Sequence, residues 1–466
     1  MSERSERTAA YWCQYAWLAD PTDGRSAVLA DGVLVGISGD RIATIERGVA
    51  APPAGAVRLD GVSVPGFANA HSHAFHRALR GRTHGRRGTF WTWRDQMYGL
   101  AATLDPDTYE ALATAAYAEM ALAGYTAVGE FHYLHHQPGG RPYDDANEMG
   151  RRLLTAAARA GVRITLLDAC YLAGGIGEPV DAVQQRFSDG SAERWFGRVG
   201  ALSTELDGGS DDAGRAQCGV AIHSVRAVEP AAMATVARFA AERNMALHAH
   251  VSEQPAENEA CLDAYGVTPV GLLHRHGILG DRFTAVHATH LTTDDIDVLA
   301  ATRSRCCICP TTERDLGDGI GPTAELRRTG GLCIGSDSHA VVDPFEETRA
   351  VELDERLRAG RRGVHDPGAL LDAATRSGYA ALGWDGGAVA VGGLADVVTV
   401  GLDSPRLAGA DLDEAAGAIV FGASAADVRH VVVGGELVVS DGAHRTIDVA
   451  AELDRTVRRA WTLVQR

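Results

Sequence analysis

The sequence predicts an α/β chain: a (βα)8 barrel of the TIM type with a small β-sandwich domain built from both termini. Three observations predict it. Apolar strand-like runs and helical stretches rich in Ala, Leu, Glu and Arg alternate eight times through the middle of the chain. Short β-like runs broken by Gly and Asp bound that middle on both sides. The Gly-rich phosphate loop that usually marks a doubly wound open sheet, the competing fold, does not occur.

The elements follow in order. Residues 12–17, 27–29, 33–38, 42–46 and 57–64 read as antiparallel strands. The same texture returns at 396–400, 428–433 and 436–439, with Gly434 and Gly435 making a hairpin turn, and 449–466 reads as a terminal helix. These runs assign 1–64 and 386–466 to a composite β domain and 65–385 to the barrel. Barrel strands are expected at 62–67, 126–133, 163–171, 218–225, 245–251, 283–288, 305–309 and 331–335. Helices such as 106–123, 147–160, 230–243, 292–302, 344–359 and 367–382 lie between and after them. The acidic stretch 203–215 reads as a surface loop.

Composition bounds the function. An apolar share of 45% over 466 residues is that of a soluble globular protein. No apolar run nears the roughly 20 residues that span a bilayer. The charged opening residues lack an apolar core behind them, so the expectation is no secretory signal and a cytoplasmic location. A net charge of -17 argues against nucleic acid or an anionic membrane as partner. There is no lysine: all 44 basic residues are arginine, which removes Schiff-base chemistry and a carbamylated-lysine bridge between two metals. Eight cysteines show no paired CxxC spacing and read as buried free thiols.

The chemistry sits at the strand ends. His71 and His73 follow the first strand, and residues at i and i+2 share a face. Glu130 to Tyr133 end the second strand and His223 to Arg226 the fourth. The fifth carries His248, His250 and Glu253, the sixth His287 and His290, the eighth Asp337 and His339. In a barrel these ends converge on one mouth. His71, His73, a strand-5 histidine and Asp337 then form a set suited to one Zn²⁺, or to Fe²⁺ or Mn²⁺. His250, nearer the strand end, is preferred as the ligand; His248 reads as a packed or supporting histidine. A cation so held brings the pKa of water towards neutrality. Asp337 can take that water's proton, Glu253 can carry one to a departing nitrogen, and His287 can hold the oxygen that gains charge. Taken singly, Glu253 could be a solvated loop charge and His287 a satisfied core histidine.

The stretches PGFANAHSH (65–73), HAHVSE (248–253), VHATH (286–290) and GSDSH (335–339) resemble the amidohydrolase superfamily over nearly the whole chain, and SDSH without lysine fits its single-metal deaminase branch. Longer segments, HSHAFHRALRG (71–81), FWTWR (90–94), GYTAVGEFHYLHH (124–136), HSVRAV (223–228) and CPTTERDLGDG (309–319), look like the formimidoylglutamate deiminase family. The resemblance implies hydrolysis of N-formimidoyl-L-glutamate to N-formyl-L-glutamate and ammonia in histidine degradation. It implies zinc on His71, His73, His250 and Asp337, proton transfer by Glu253 and His287, and a substrate pocket containing Arg94, Tyr133, His223 and Arg226. Many members carry Gln where this chain has His76, a residue expected to touch substrate; His can still donate or accept a hydrogen bond.

Arg94 and Arg226 have independent support, because a dicarboxylate is naturally read by bidentate arginine. Arg82, Arg86 and Arg87, in a Gly-rich loop nearby, read as a solvated face. The competing functions are another mononuclear deaminase of the same scaffold, acting on a nucleobase, nucleoside or triazine, and a non-catalytic barrel scaffold. The expected partner is a small dicarboxylate, with no nucleic acid and no membrane, and a homodimer is the expected assembly.

Overall fold

The computed structural model describes residues 8–20, 27–83, 88–208 and 214–465. The chain opens with β1 (Thr8–Ala19), β2 (Ala27–Ser38), β3 (Arg41–Glu46) and β4 (Val57–Pro65). Eight further strands follow: β5 (Phe67–Ser72), β6 (Tyr125–His132), β7 (Arg163–Cys170), β8 (Ala216–Ser224), β9 (Leu247–Val251), β10 (Phe283–His287), β11 (Arg305–Ile308) and β12 (Leu332–Ile334). Last come β13 (Val397–Val400), β14 (Val428–Val433), β15 (Glu436–Ser440) and β16 (Ala443–His444).

Strands β5 to β12 form one parallel sheet in sequence order. Its seam closes at the carboxyl ends. The Asp337 N–H donates to the His71 carbonyl at 3.0 Å, and the His73 N–H donates to the Asp337 carbonyl at 3.3 Å. Asn69 stitches the same seam: its amide donates to Ser336 Oγ at 2.7 Å and its oxygen accepts the Ser336 N–H at 2.9 Å. Helices cover the outside, so β6 and β7 are buried along their whole length, with Glu130, His132, Arg163 and Asp168 buried among their apolar residues. The helix Pro106–Ala123 shows the local logic of this layer. Asp105 accepts the Thr108 N–H, Pro106 presets the first turn, and Gly124 ends the helix at φ 104°.

The other eight strands form a single mixed ladder, β16-β15-β14-β13-β4-β1-β2-β3, parallel only between β1 and β4. It has its own small core, including Val33, Val35, Ile37, Leu59 and Val432. The terminal helix Val449–Val464 follows this ladder in sequence but packs on the barrel helix Pro106–Ala123, and Trp461 Nε1 donates to the Ala78 carbonyl at 2.7 Å. No described helix is long and apolar enough to cross a membrane.

Two expectations change. The first barrel strand lies at Phe67–Ser72, not 62–67, because the apolar run divides at Gly66. The residues on both sides of Gly66 are buried, so hydropathy shows no break. A side chain at Gly66 is impossible, since its Cβ would lie 2.0 Å from Thr126 Oγ1. The stretch 203–215 is not all loop: the helix Ala192–Asp207 runs through its first part, where Leu202 and Ser203 are buried and Glu205 pairs with Arg151. Residues 209–213 lie outside the described residues, as do Arg86 and Arg87; Arg82 is exposed and stacks on Trp461 at 5.0 Å.

Arg163 couples the barrel to the ladder. Buried on β7, it binds Asp396 through two nitrogens at 2.7 and 3.2 Å, and Asp396 also accepts the Tyr379 hydroxyl and the Gly434 N–H. Asp396→Ala leaves the buried guanidinium without its close bidentate partner, with Asp40 at 3.6 Å as the remaining carboxylate, so it is expected to lower unfolding free energy by about 3–5 kcal/mol. The shift in urea midpoint measures this; an unchanged midpoint would refute it.

Candidate metal centre and active site

The strand ends bring His71, His73, His250 and Asp337 to one point. His71 Nε2 and His73 Nε2 lie 3.2 and 3.3 Å from Asp337 Oδ1, and His71 Nε2 lies 3.1 Å from His250 Nε2. Ligands held tetrahedrally at about 2.0–2.1 Å from a cation stand about 3.3 Å apart, so these separations fit a divalent ion. The donor chemistry fits too. His73 Nδ1 donates to the Phe131 carbonyl and His250 Nδ1 to the His223 carbonyl, both at 2.9 Å, which leaves each Nε2 a lone pair facing the same point. Burial lowers the pKa of all three imidazoles, His71 to about 3, keeping them neutral and ready to ligate. Burial pushes Asp337 up, but the hydrogen bond from His71 and the charge on His287 hold it well below the usual carboxylate range. His248, two residues deeper in β9, donates Nε2–H to the Ala381 carbonyl at 2.9 Å and takes no part.

Glu253 and His287 flank this centre. His287 Nε2 lies 3.6 Å from Glu253 Oε1 and 3.9 Å from Asp337 Oδ2. His287 and Asp337 both adopt left-handed backbone, at φ 69° and 37°, a conformation side chains avoid unless the surroundings impose it. Burial raises the Glu253 carboxyl, and Asp337 adds to that. Burial would lower His287, but Glu253, Glu313 and Asp337 overcome it and lift the imidazole to about 10.

One cavity is lined by these groups together with His76, Arg94, Tyr133, His223 and Arg226. His76 Nε2 lies 3.0 Å from the Tyr133 hydroxyl. Arg94 comes from the helix Phe90–Ala101; its guanidinium stacks on Trp91 and Tyr98 at 4.5 and 5.4 Å, and its buried Nε has no hydrogen-bond partner among the described residues. Arg226 Nε donates to Glu257 at 3.1 Å, and Glu257 in turn accepts the Ser252 N–H at 2.9 Å. A wider cleft between the ladder and the barrel base, bordered by Trp17, Asp366 and Arg376, contains none of the donor clusters found among the described residues.

Sequence reasoning passed over several residues here. Glu257, Asp318 and Glu313 stand close behind the site. Tyr171 and Phe187 line it. The strand-end rule would have found Tyr171, just past β7; nothing local marks Phe187, or Glu313 inside the helix Pro310–Leu316. The histidines of the 132–136 motif go elsewhere. His135 contacts His132, Asp168 and the Ala169 carbonyl, His136 pairs with Asp189, and Arg198 binds both Asp168 and Asp189 at 2.7–2.9 Å. Only Tyr133 of that motif faces the cavity.

Fold and site define a metal-dependent hydrolase built on a TIM barrel. The model of the amidohydrolase family matches residues 62–438, and the chain belongs to that family. Formimidoylglutamate deiminase from Pseudomonas aeruginosa is 38% identical over 432 residues, covering 90% of this chain and 92% of that protein. A crystal structure of an amidohydrolase from Brucella melitensis matches with a TM-score of 0.88 at 34% identity, over 97% of this chain and 100% of that one. An adenosine deaminase from Xanthomonas campestris with bound zinc shares the fold at a TM-score of 0.83 and 24% identity, over 98% of each chain.

Two outcomes follow. Metal analysis is expected to find about one divalent ion per chain, and His250→Ala to lose most of it; undiminished metal in that variant would contradict the ligand set. The second concerns acid. Burial works against Asp168 and Asp189, but Arg198 holds the first, and the His136 hydrogen bond together with Arg198 the second, below the ordinary carboxylate value. A depressed carboxyl stabilises the fold above its unfolded pKa, about 3.9, and loses that contribution as pH falls towards the folded value. Circular dichroism should therefore show acid unfolding setting in below about pH 4. Arg198→Met should move the onset to higher pH.

Proposed function

We propose that the chain hydrolyses N-formimidoyl-L-glutamate to N-formyl-L-glutamate and ammonia, in histidine degradation, with zinc as its resident ion. The observation that carries the reading is a pair of guanidinium groups, Arg94 and Arg226, on the same cavity as the imidazole and carboxylate cluster. The substrate is a dicarboxylate, and each carboxylate suits one guanidinium. The name of the Pseudomonas aeruginosa relative supports the choice of substrate.

Held by His71, His73, His250 and Asp337, the cation would supply hydroxide at neutral pH. Oxygen from water adds to the formimidoyl carbon, the bond from that carbon to the terminal nitrogen breaks, and ammonia leaves as the formyl carbonyl forms. Asp337, whose Oδ2 lies 3.9 Å from His287 Nε2, takes the water's proton. Glu253, its carboxyl raised by burial, carries a proton to the departing nitrogen. His287, cationic among three carboxylates, faces the oxygen that gains charge. His76, Tyr133 and His223 supply hydrogen bonds to the remainder of the substrate.

A second reading draws on the aromatic wall. Phe90, Trp93, Tyr98, Tyr133, Tyr171 and Phe187 line the cavity, as a nucleobase deaminase would need. Those around Phe187 pack edge to edge on one another, with Tyr133 at 5.0 Å and 82° and Tyr171 at 5.5 Å and 70°, which makes a poor stacking floor. The cytoplasmic location remains part of the proposal, supported by eight unpaired cysteines.

Incubation of metal-loaded enzyme with N-formimidoyl-L-glutamate should release ammonia and N-formyl-L-glutamate. Formamide plus glutamate, or no turnover, would sink the reading. Arg94→Met and Arg226→Met should each raise KM about 10–100-fold, the loss of one charged hydrogen-bonded contact. An unchanged KM would favour the second reading.

A further inference from the structure

The His287 ring meets carboxylates on both edges. Its Nε2 edge faces Glu253 and Asp337. Its Nδ1 lies 3.4 Å from Oε1 of Glu313, a buried residue that does not line the cavity. Glu313 belongs to the short helix Pro310–Leu316 and is tied to the start of it: Oε1 accepts the Cys309 N–H at 2.9 Å, and the Glu313 N–H donates to the Cys309 carbonyl at 2.9 Å. The carboxylate is therefore fixed in place before any ligand arrives. The Cys309 thiol, which lies within 4.8 Å of a His287 nitrogen and a Glu313 oxygen, is a weak acceptor that burial keeps protonated.

Something has to orient this ring. His287 ends β10 and Ala288 follows it, with φ of 69° and 52°, held by the Ala288 N–H on the Val251 carbonyl at 3.1 Å. Such backbone does not dictate which way an imidazole faces. A ring that donates from both nitrogens can also flip and exchange its two edges.

We propose that Glu313 is a positioning residue, which takes the His287 Nδ1–H and thereby presents Nε2 to the reacting atoms. This rests on the deiminase reading for the reaction, though not for the contact. With Nδ1–H committed to Glu313, Nε2 is the nitrogen that gives or receives a hydrogen bond in the cavity. Removing the carboxylate frees the ring to turn, so that Nε2–H is no longer held towards the reacting atoms, and catalysis falls when that donor is misplaced.

Glu313→Ala and Glu313→Gln test this in the metal-loaded enzyme. For Glu313→Ala, kcat on N-formimidoyl-L-glutamate should fall about 10²–10³-fold, with KM and metal content close to wild type. Glu313→Gln keeps an acceptor oxygen for both Nδ1–H and the Cys309 N–H, so it should fold and regain about tenfold in kcat over the alanine variant. A raised KM with unchanged kcat, or loss of bound metal in both variants, overturns the proposal. Long-range ¹H–¹⁵N spectra of histidine-labelled enzyme provide a readout without substrate. A hydrogen-bonded His287 Nδ1–H in wild type that moves or is lost in Glu313→Ala supports the proposal even if N-formimidoyl-L-glutamate is not turned over, an outcome that would remove only the substrate reading. The same signal unchanged in Glu313→Ala overturns it. An unprotonated Nδ1 overturns it whatever the activity.

Discussion

Two peptide hydrogen bonds at Asp337, one to the His71 carbonyl and one from the His73 N–H, carry more of this structure than any other contact. They complete the last gap in the barrel wall. The same two bonds bring side chains from the first and last barrel strands within 3.3 Å of each other. Closure of the fold and assembly of the centre are therefore one event, and Asn69 and Ser336 brace both at once. The cost is visible locally. Asp337 and His339 sit in left-handed backbone, which only a tightly packed surrounding sustains.

Charge is distributed unevenly around that seam. On one side stand neutral imidazoles whose outer nitrogens are committed to backbone carbonyls. On the other, Glu253, Glu313, Asp318 and Asp337 crowd round a single histidine. Burial raises Asp318 to about 9, with Glu253 adding to the effect, so that group holds its proton. The arrangement offers lone pairs where a cation would sit and a store of protons beside it, and hydrolysis of a carbon–nitrogen bond requires both within a few ångströms.

The repeat of strand and helix, the two β-rich flanks and the chemistry-bearing strand ends were legible in the chain because each is a local pattern. His71, His73, His250, Glu253, His287 and Asp337 announce themselves by residue type and by their place after an apolar run. Less was legible where the physics is non-local. Gly66 divides one apolar run between two sheets, and only the approach of Thr126 shows why. Ser203–Asp207 looks like loop until Arg151 is seen to hold Glu205. Glu313 and Glu257 are ordinary helical glutamates by sequence; their roles come from His287 and Arg226, which reach them from other strands. The histidines of the 132–136 motif mislead in the opposite direction, since a dense histidine run here serves a buried ion-pair network.

The single residue between β4 and β5 has a mechanical consequence. At Gly66 the chain leaves the ladder at Pro65 and enters the barrel at Phe67, with no linker to bend. The Gly66 N–H is itself held by the Asp396 carbonyl, and the side chain of Asp396 is locked by Arg163. Ladder and barrel thus share a rigid weld and have no hinge between them. They should melt as one cooperative unit, and the two bodies cannot swing apart to admit a ligand. Access is left to the loops and the Arg94-bearing helix at the rim, so the motions that time catalysis are confined to the end of the barrel where the chemistry is.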